Sequence, residues 1–385
     1  MRFFFQLILF FSFISYSIYY AYTNSDPDLT DSEYQTLTLK NEKTYISSMG
    51  QDRKVGNIVG IQTFMTPVDY STPERFYDKL EFYVIKAKQS GFIKDRTLLV
   101  FPEHIATPLF LMEEKKKIYS AKSWKEIQNY LKISNYFYQK NNTEFTSDSP
   151  IPLAKSLLIQ KSEKMRSAYV ETFRRLATSY NVNILAGSIV LPNPNISNNE
   201  LIIDQGEMKD ISIMLDKKGI IANIFEKNEL YTFEKEIMVG GVIPPSSNPM
   251  PGFTNKVVII FSSDSLHNKF YTKQVYNTDL WISPSFKLAN SNIDWSDNHI
   301  SGDPRYDSKA IFQESENLLS PKALWSKYGI SGKFQYFPSK YYIEIFFKGE
   351  FYDLELDGWS SYGIKSMRQE FVDKDYHSAI LNLNL

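Results

Sequence analysis

The side chains best placed for chemistry stand where apolar runs stop. Ser262 closes Val257 to Phe261, a β-branched run of strand length, and opens Ser262-Ser263-Asp264-Ser265. Small polar residues at the carboxyl end of a strand buried on both faces are where α/β proteins place their chemistry. Glu103 follows Leu98-Leu99-Val100-Phe101-Pro102, and Lys227 follows the run Ile220 to Glu226. A hydroxyl, a carboxylate and an ammonium are groups of nucleophilic, acid–base and electrostatic catalysis. Taken singly, each has a plainer reading. The serines could cap a following helix, Glu103 could be an exposed carboxylate, and Lys227 could belong to a solvated face in EKNELYTFEKE.

Composition narrows the chemistry. The 385 residues contain no cysteine, which excludes disulfides, thiolate metal sites and thiol nucleophiles. The four histidines show no helical pairing, so no zinc site is expected. No Gly-rich phosphate loop occurs, and no cofactor is expected. A net charge of -1 provides no basic field for nucleic acid. With 43% hydrophobic and 15% aromatic residues, the chain can bury a sizeable core in one large or two ordinary domains.

The elements that must position these residues alternate. Gly56 to Thr63 reads as a buried strand. Ser71, with Glu74 three residues on and Pro73 in the first turn, opens a helix that Gly91 stops. Thr97 to Phe101 is a second strand, so strand, helix and strand suggest a parallel crossover. Lys115 to Tyr138 reads as helical, Asn141 to Pro150 as a loop, Ser156 to Tyr180 as a long helix, and Asn183 to Leu191 as a strand. Ile211 to Leu215 and Ile220 to Phe225 flank Asp-Lys-Lys-Gly, a hairpin turn. A loop over Gly240 to Gly252 precedes the Val257 strand; Leu280 to Ser283 follows it. A helix near Leu319 to Tyr328 and strands near Tyr341 to Phe347 and Phe351 to Leu356 complete the pattern.

The three exits, in this order and at these separations, resemble the carbon–nitrogen hydrolase (nitrilase) superfamily. That family has a Glu after an apolar strand, usually behind Pro, as in Leu98 to Glu103. It has a Lys in a short motif after a hairpin, as in Phe225-Glu226-Lys227-Asn228-Glu229-Leu230-Tyr231, and a nucleophile two residues before an acid, as in Ile259-Ile260-Phe261-Ser262-Ser263-Asp264. The strands at Asn57 to Thr63, Leu185 to Ser188 and Trp281 to Ser285 also look familiar, and the likeness spans Val55 to Gly358. It implies an α/β, four-layer α-β-β-α sandwich and a homodimer.

In the family the nucleophile is a cysteine thiolate, the Glu a general base and then acid, and the Lys the stabiliser of the tetrahedral oxyanion. Carried over, Glu103 is the base, Lys227 the electrophile and Ser262 the nucleophile. The departure is at 262, where serine stands for cysteine. A hydroxyl is on the order of five units less acidic than a thiol, about 7 kcal/mol, and a lone Glu is a weak base for it. His104 follows Glu103 directly, but neighbours on extended chain point to opposite faces. His267 lies in the expected helix after Ser262, facing solvent or packing. The expected function is a hydrolase homologue without thiol catalysis that acts as a binding or structural partner for a small amide, nitrile or carboxylate. The alternatives are an active amidase using Ser262, or an unrelated exported α/β domain. Ligand choice would fall to loops at Met112 to Asn142 and Phe286 to Asp307, which carry Trp124, Tyr136, Tyr138, Trp295 and Tyr306.

The N-terminus stands apart. Phe3 to Tyr22 is almost wholly apolar or aromatic, with Arg2 before it and Asp26 and Asp28 after it. Such a run serves as a signal peptide or membrane anchor, and its flanking charges place the rest outside the cytoplasm. The organisation expected is 1–22 signal or anchor, 23–54 linker, 55–358 hydrolase-like domain and 359–385 C-terminal tail.

Overall fold

The computed structural model describes residues 2–24, 29–38, 42–134, 153–272, 275, 277–289, 320–365 and 367–385. The expected loop at Asn141 to Pro150, and Tyr136, Tyr138, Trp295 and Tyr306, lie outside the described residues. One sheet has seven strands: β1 (Thr44–Met49), β2 (Asn57–Gln62), β3 (Thr97–Val100), β4 (Asn183–Pro192), β5 (Met208–Leu215), β6 (Ile221–Glu226) and the last strand of the chain, Ser378–Asn384. The other has six: β7 (Ser247–Pro249), β8 (Lys256–Ile259), β9 (Leu280–Ser285), β10 (Tyr341–Phe346), β11 (Ser361–Ile364) and β12 (Arg368–Phe371). Ser378–Asn384 is therefore β13.

The large sheet runs β1-β13-β2-β3-β4-β5-β6 and the second runs β7 to β12 in chain order. β2, β3 and β4 are parallel neighbours, as are β8, β9 and β10. Both triplets are built of continuous apolar runs because each strand is covered on both faces. Ile58, Leu98, Val100 and Leu185 of the large sheet share one core with Val257, Ile259, Ile282 and Ile343 of the second. The alternate residues Val59, Leu99 and Ile184 pack instead on Phe76, Leu80 and Val84 of helix Pro73–Gln89 and on Met165, Tyr169 and Phe173 of helix Leu153–Tyr180. On the far side, Val258, Trp281 and Tyr342 meet Ile330 and Phe334 of helix Ile330–Phe334. Strand period two thus divides the apolar residues among helix, sheet, sheet and helix.

Several expectations are revised. Thr44–Met49, inside the stretch read as a 23–54 linker, is β1, and Ser378–Asn384, inside the stretch read as a tail, is β13. β13 lies between β1 and β2, with Ile380 opposite both Ile46 and Ile61. Helix Pro73–Gln89 is capped by Thr72, whose hydroxyl accepts from the Arg75 amide, and not by Ser71. Among the described residues no long helix follows Ser262; Asp264–Leu266 is a single tight turn that leaves His267 extended. The stretch read as signal or anchor forms helix Arg2–Asn24. Among the described residues no helix is long and apolar enough to cross a membrane.

Candidate active site

Glu103 reaches the site because β3 ends against a bulge. β4 and β5 lose register between Leu185 and Ser188. There Gly187 takes φ +68°, and a Cβ on it would lie 2.2 Å from the Pro102 carbonyl oxygen, so only glycine fits. The Ser188 amide donates to that carbonyl, and Ser188 Oγ accepts from the His104 amide at 2.7 Å. Pro102 to His104 is thereby pinned to the neighbouring strand. His104 has φ +57°, so the backbone is not extended and its ring stays beside the cluster. This corrects the expectation that His104 turns away.

Lys227 leaves β6 with its amide bonded to the Asp210 carbonyl at 3.0 Å. Asp264 then ties this exit to the turn after Phe261: its carboxylate accepts from the Asn228 amide at 3.1 Å and the Glu229 amide at 2.6 Å. Ser263 Oγ donates to the Glu229 carbonyl. The acid two residues past Ser262 is therefore a clamp between the second and third motifs. Burial pushes it up to about 7, against the pull of those amides.

All three expected residues converge. Ser262 Oγ donates to Glu103 Oε2. Lys227 Nζ lies 2.7 Å from Glu103 Oε1 and 2.7 Å from Glu234 Oε1. Glu103 and Ser262 are 0% exposed and Lys227 is 1% exposed. Glu234 was missed in the sequence, where it sits in EKNELYTFEKE and reads as solvated. The tight turn Glu234–Glu236 folds it inward, and its Oε2 accepts from the Tyr231 amide at 2.8 Å. The Tyr231 ring covers the ammonium at 4.5 Å. His104 Nε2 lies 2.9 Å from Glu234 Oε1 and 3.8 Å from Asp210 Oδ2, and its Nδ1 is 3.0 Å from Thr107 Oγ1. His267 Nε2 is 3.9 Å from Glu229 Oε2.

The electrostatics follow from three carboxyl groups buried with two bases. Burial pushes Glu103 up to about 6, although Lys227 and His104 pull it down. Burial also raises Asp210. For Glu234 burial is outweighed by Lys227 and His104, and its carboxyl falls below the ordinary value. Burial lowers Lys227, but Glu103 and Glu234 more than offset it and hold the ammonium charged. His104 is likewise raised, because Asp210 and Glu234 outweigh its burial. Glu103 is thus a carboxyl raised toward neutrality beside Ser262, and Lys227 is a fixed positive charge. Glu103, His104 and Asp210 offer donor atoms within 4.8 Å of one another, a spacing open to a metal ion. The ammonium at Glu103 already supplies a cation there.

No family model and no curated protein matches the chain. Among solved structures it is similar to an amidase from Nesterenkonia sp., at 13% identity over 88% of this chain and 92% of that one, with a TM-score of 0.45. A serine-for-cysteine mutant of the Nesterenkonia AN1 amidase from the nitrilase superfamily is 14% identical, with 86% of this chain and 91% of that one covered and a TM-score of 0.45. An alanine-for-cysteine mutant of the same amidase gives 13%, 86%, 90% and 0.46. This mixed α/β chain is thus similar to solved structures of an amidase described as a member of the nitrilase superfamily.

Proposed function

We propose that the protein is a carbon–nitrogen hydrolase homologue that binds a small amide, nitrile or carboxylate at Glu103, Lys227 and Ser262 without thiol-dependent turnover. The observation that carries this is the set of partners around Ser262. Its hydroxyl meets the Glu103 carboxylate, while the Lys227 ammonium is locked between Glu103 and Glu234. His104 Nε2 is 2.9 Å from Glu234 Oε1, and His267 Nε2 is 3.9 Å from Glu229 Oε2. A thiol, with an ordinary pKa of about 8.5, would sit about 2.5 units above Glu103 at about 6, a gap of about 3 kcal/mol. A serine hydroxyl, on the order of five units higher still, widens the gap to about 10 kcal/mol. The cluster suits a thiolate and holds an alcohol.

Ser262→Cys tests this. The variant is expected to hydrolyse simple amides, or to acylate with a reactive ester, at least a hundredfold faster than the natural protein. Ser262→Ala, which leaves Glu103 and Lys227 in place, should change ligand binding little and remove no measurable turnover. A second reading, a serine amidase, draws on the Ser262–Glu103 hydrogen bond itself. It wins if the natural protein turns over an amide and Ser262→Ala, Glu103→Gln and Lys227→Met each abolish it. Export guided by residues 1–22 and a homodimer belong to the same proposal. Retention of the full chain in the cytosol, or a monomer in sedimentation at micromolar concentration, would remove them.

A further inference from the structure

The turn that carries Ser262 is tied to the rest of the molecule twice. Asp264 ties it to the Lys227 exit. The second tie runs through Ser265. The Ser262 carbonyl accepts from the Ser265 amide at 3.2 Å and from Ser265 Oγ at 2.6 Å. The same amide reaches the Phe261 carbonyl at 3.0 Å, so Ser265 holds two successive carbonyls of the site backbone. Its own carbonyl is held in turn: it accepts from Lys333 Nζ at 2.8 Å and from Tyr271 Oη at 2.9 Å. Ser262 and Ser265 are fully buried, and Lys333 is 1% exposed.

Lysine is an unexpected residue at 333. Helix Ile330–Phe334 brings Ile330, Lys333 and Phe334 to one face by their i, i+3 and i+4 spacing. Ile330 and Phe334 pack on Val258, Trp281 and Tyr342, so the lysine stands in an apolar stripe. Among the described residues no carboxylate offsets its burial, which drives the amine well below the ordinary lysine range. Its contacts are the Ser265 carbonyl and the face of the Tyr271 ring at 4.5 Å. A buried amine without a carboxylate costs stability, and methionine or leucine would fill the same place without that penalty. What lysine adds is the bond to Ser265. We infer that Lys333 is a positioning residue for Ser262, acting through Ser265, by which the helix over the second sheet sets the hydrogen bond from Ser262 to Glu103. It rests on the ligand-site reading above, in which Ser262 and Glu103 act together, and it explains what fixes their geometry.

The Glu103 carboxyl reports on that geometry. A hydroxyl donating to it favours its charged form, so loss of the bond raises its titration midpoint. NMR titration of the full chain with carboxyl-labelled glutamate reads the midpoint, and Glu103→Gln identifies the signal. Ser262→Ala sets the scale, an upward shift of about one pH unit. Lys333→Met should give at least half of that shift, and adding Lys333→Met to Ser262→Ala should give no more than Ser262→Ala alone. Phe334→Leu loosens the same helix from Trp281 and Tyr342 without touching the Ser265 bond. It should lower the urea midpoint and leave the Glu103 midpoint in place, which separates positioning from plain support of the fold. Where circular dichroism shows that Lys333→Met does not fold, Lys333→Leu, whose side chain suits the apolar stripe, takes its place. An unmoved Glu103 midpoint in the folded variant, an equal shift in Phe334→Leu, or a further shift in the double variant overturns the inference. If the natural protein binds no simple amide and the Glu103 shift is seen, the ligand reading falls and the role of Lys333 stands. Amide binding with no shift does the reverse.

Discussion

Lys227→Met is the sharpest test of how the cluster is held. Methionine keeps the length and much of the volume of the side chain and deletes only the charge and its donors. The ammonium sits 2.7 Å from Glu103 Oε1 and 2.7 Å from Glu234 Oε1. At an effective dielectric of about 20, each contact is worth about 6 kcal/mol of attraction. Lysine's own burial offsets much of that sum, and protonation of one carboxyl recovers more. The net loss expected is the about 3–5 kcal/mol found when one partner of a buried pair is removed. The pH dependence carries the diagnosis. Glu103 already stands above its unfolded value, at about 6, and Lys227 is what restrains it. Without the lysine it should rise further, so the folded variant binds a proton that the unfolded chain releases. Its stability deficit should therefore be smallest near pH 5 and grow toward pH 8. Urea midpoints of both proteins across that range measure it. A deficit below about 1 kcal/mol, or one that stays constant with pH, would refute the reading of Lys227 as a charged bridge.

Three further outcomes are expected. Burial pushes Glu344 up to about 8, against its hydrogen bonds from Trp325 Nε1 at 2.9 Å and Ser285 Oγ at 3.1 Å. The natural protein should therefore lose stability relative to Glu344→Gln as pH rises from about 4.5 to 8, by up to about 5 kcal/mol; parallel urea midpoints would count against it. Gly187→Ala should destabilise by about 1–3 kcal/mol and weaken ligand binding, because the new methyl meets the Pro102 carbonyl beside Glu103. Gly91→Ala, at φ +72° with nothing within 4 Å, is the control for backbone strain alone, and equal effects on binding would sink the idea. Asp264→Asn should loosen the clamp on the Asn228 and Glu229 amides and so speed hydrogen exchange at both; unchanged exchange would show that the clamp is dispensable.

The sequence was most legible where local pattern and burial agree. β2, β3, β4, β5 and β8 are apolar runs ending in polar residues, and helix Leu153–Tyr180 shows its face in Met165, Tyr169, Phe173 and Leu176. Glu103, Lys227 and Ser262 were visible because each ends such a run. What stayed hidden depends on distant partners. TYISSM and SAILNLN become strands through each other, more than 330 residues apart, and neither announces the other locally. Glu234 differs from its exposed neighbours Lys235 and Glu236 only because Lys227 and His104 await it. His104 escaped because its left-handed backbone is imposed by Ser188 and the bulge, and not by its own neighbours.

The insertion of β13 between β1 and β2 sets a timetable for synthesis. β1 and β2 leave the ribosome more than 300 residues before the strand that joins them. Until then β2 has an open edge on the side that β13 will cover, flanked by apolar residues such as Ile58 and Ile61. An edge of that kind is a template for pairing with another chain. At synthesis rates of roughly 5–20 residues per second, the gap from β2 to β13 lasts tens of seconds. The nascent protein must pass that interval with β1 and β2 of its principal sheet unjoined. Chaperone dependence and aggregation during expression should therefore follow the delivery of residues 378–384 more closely than any change near Ser262.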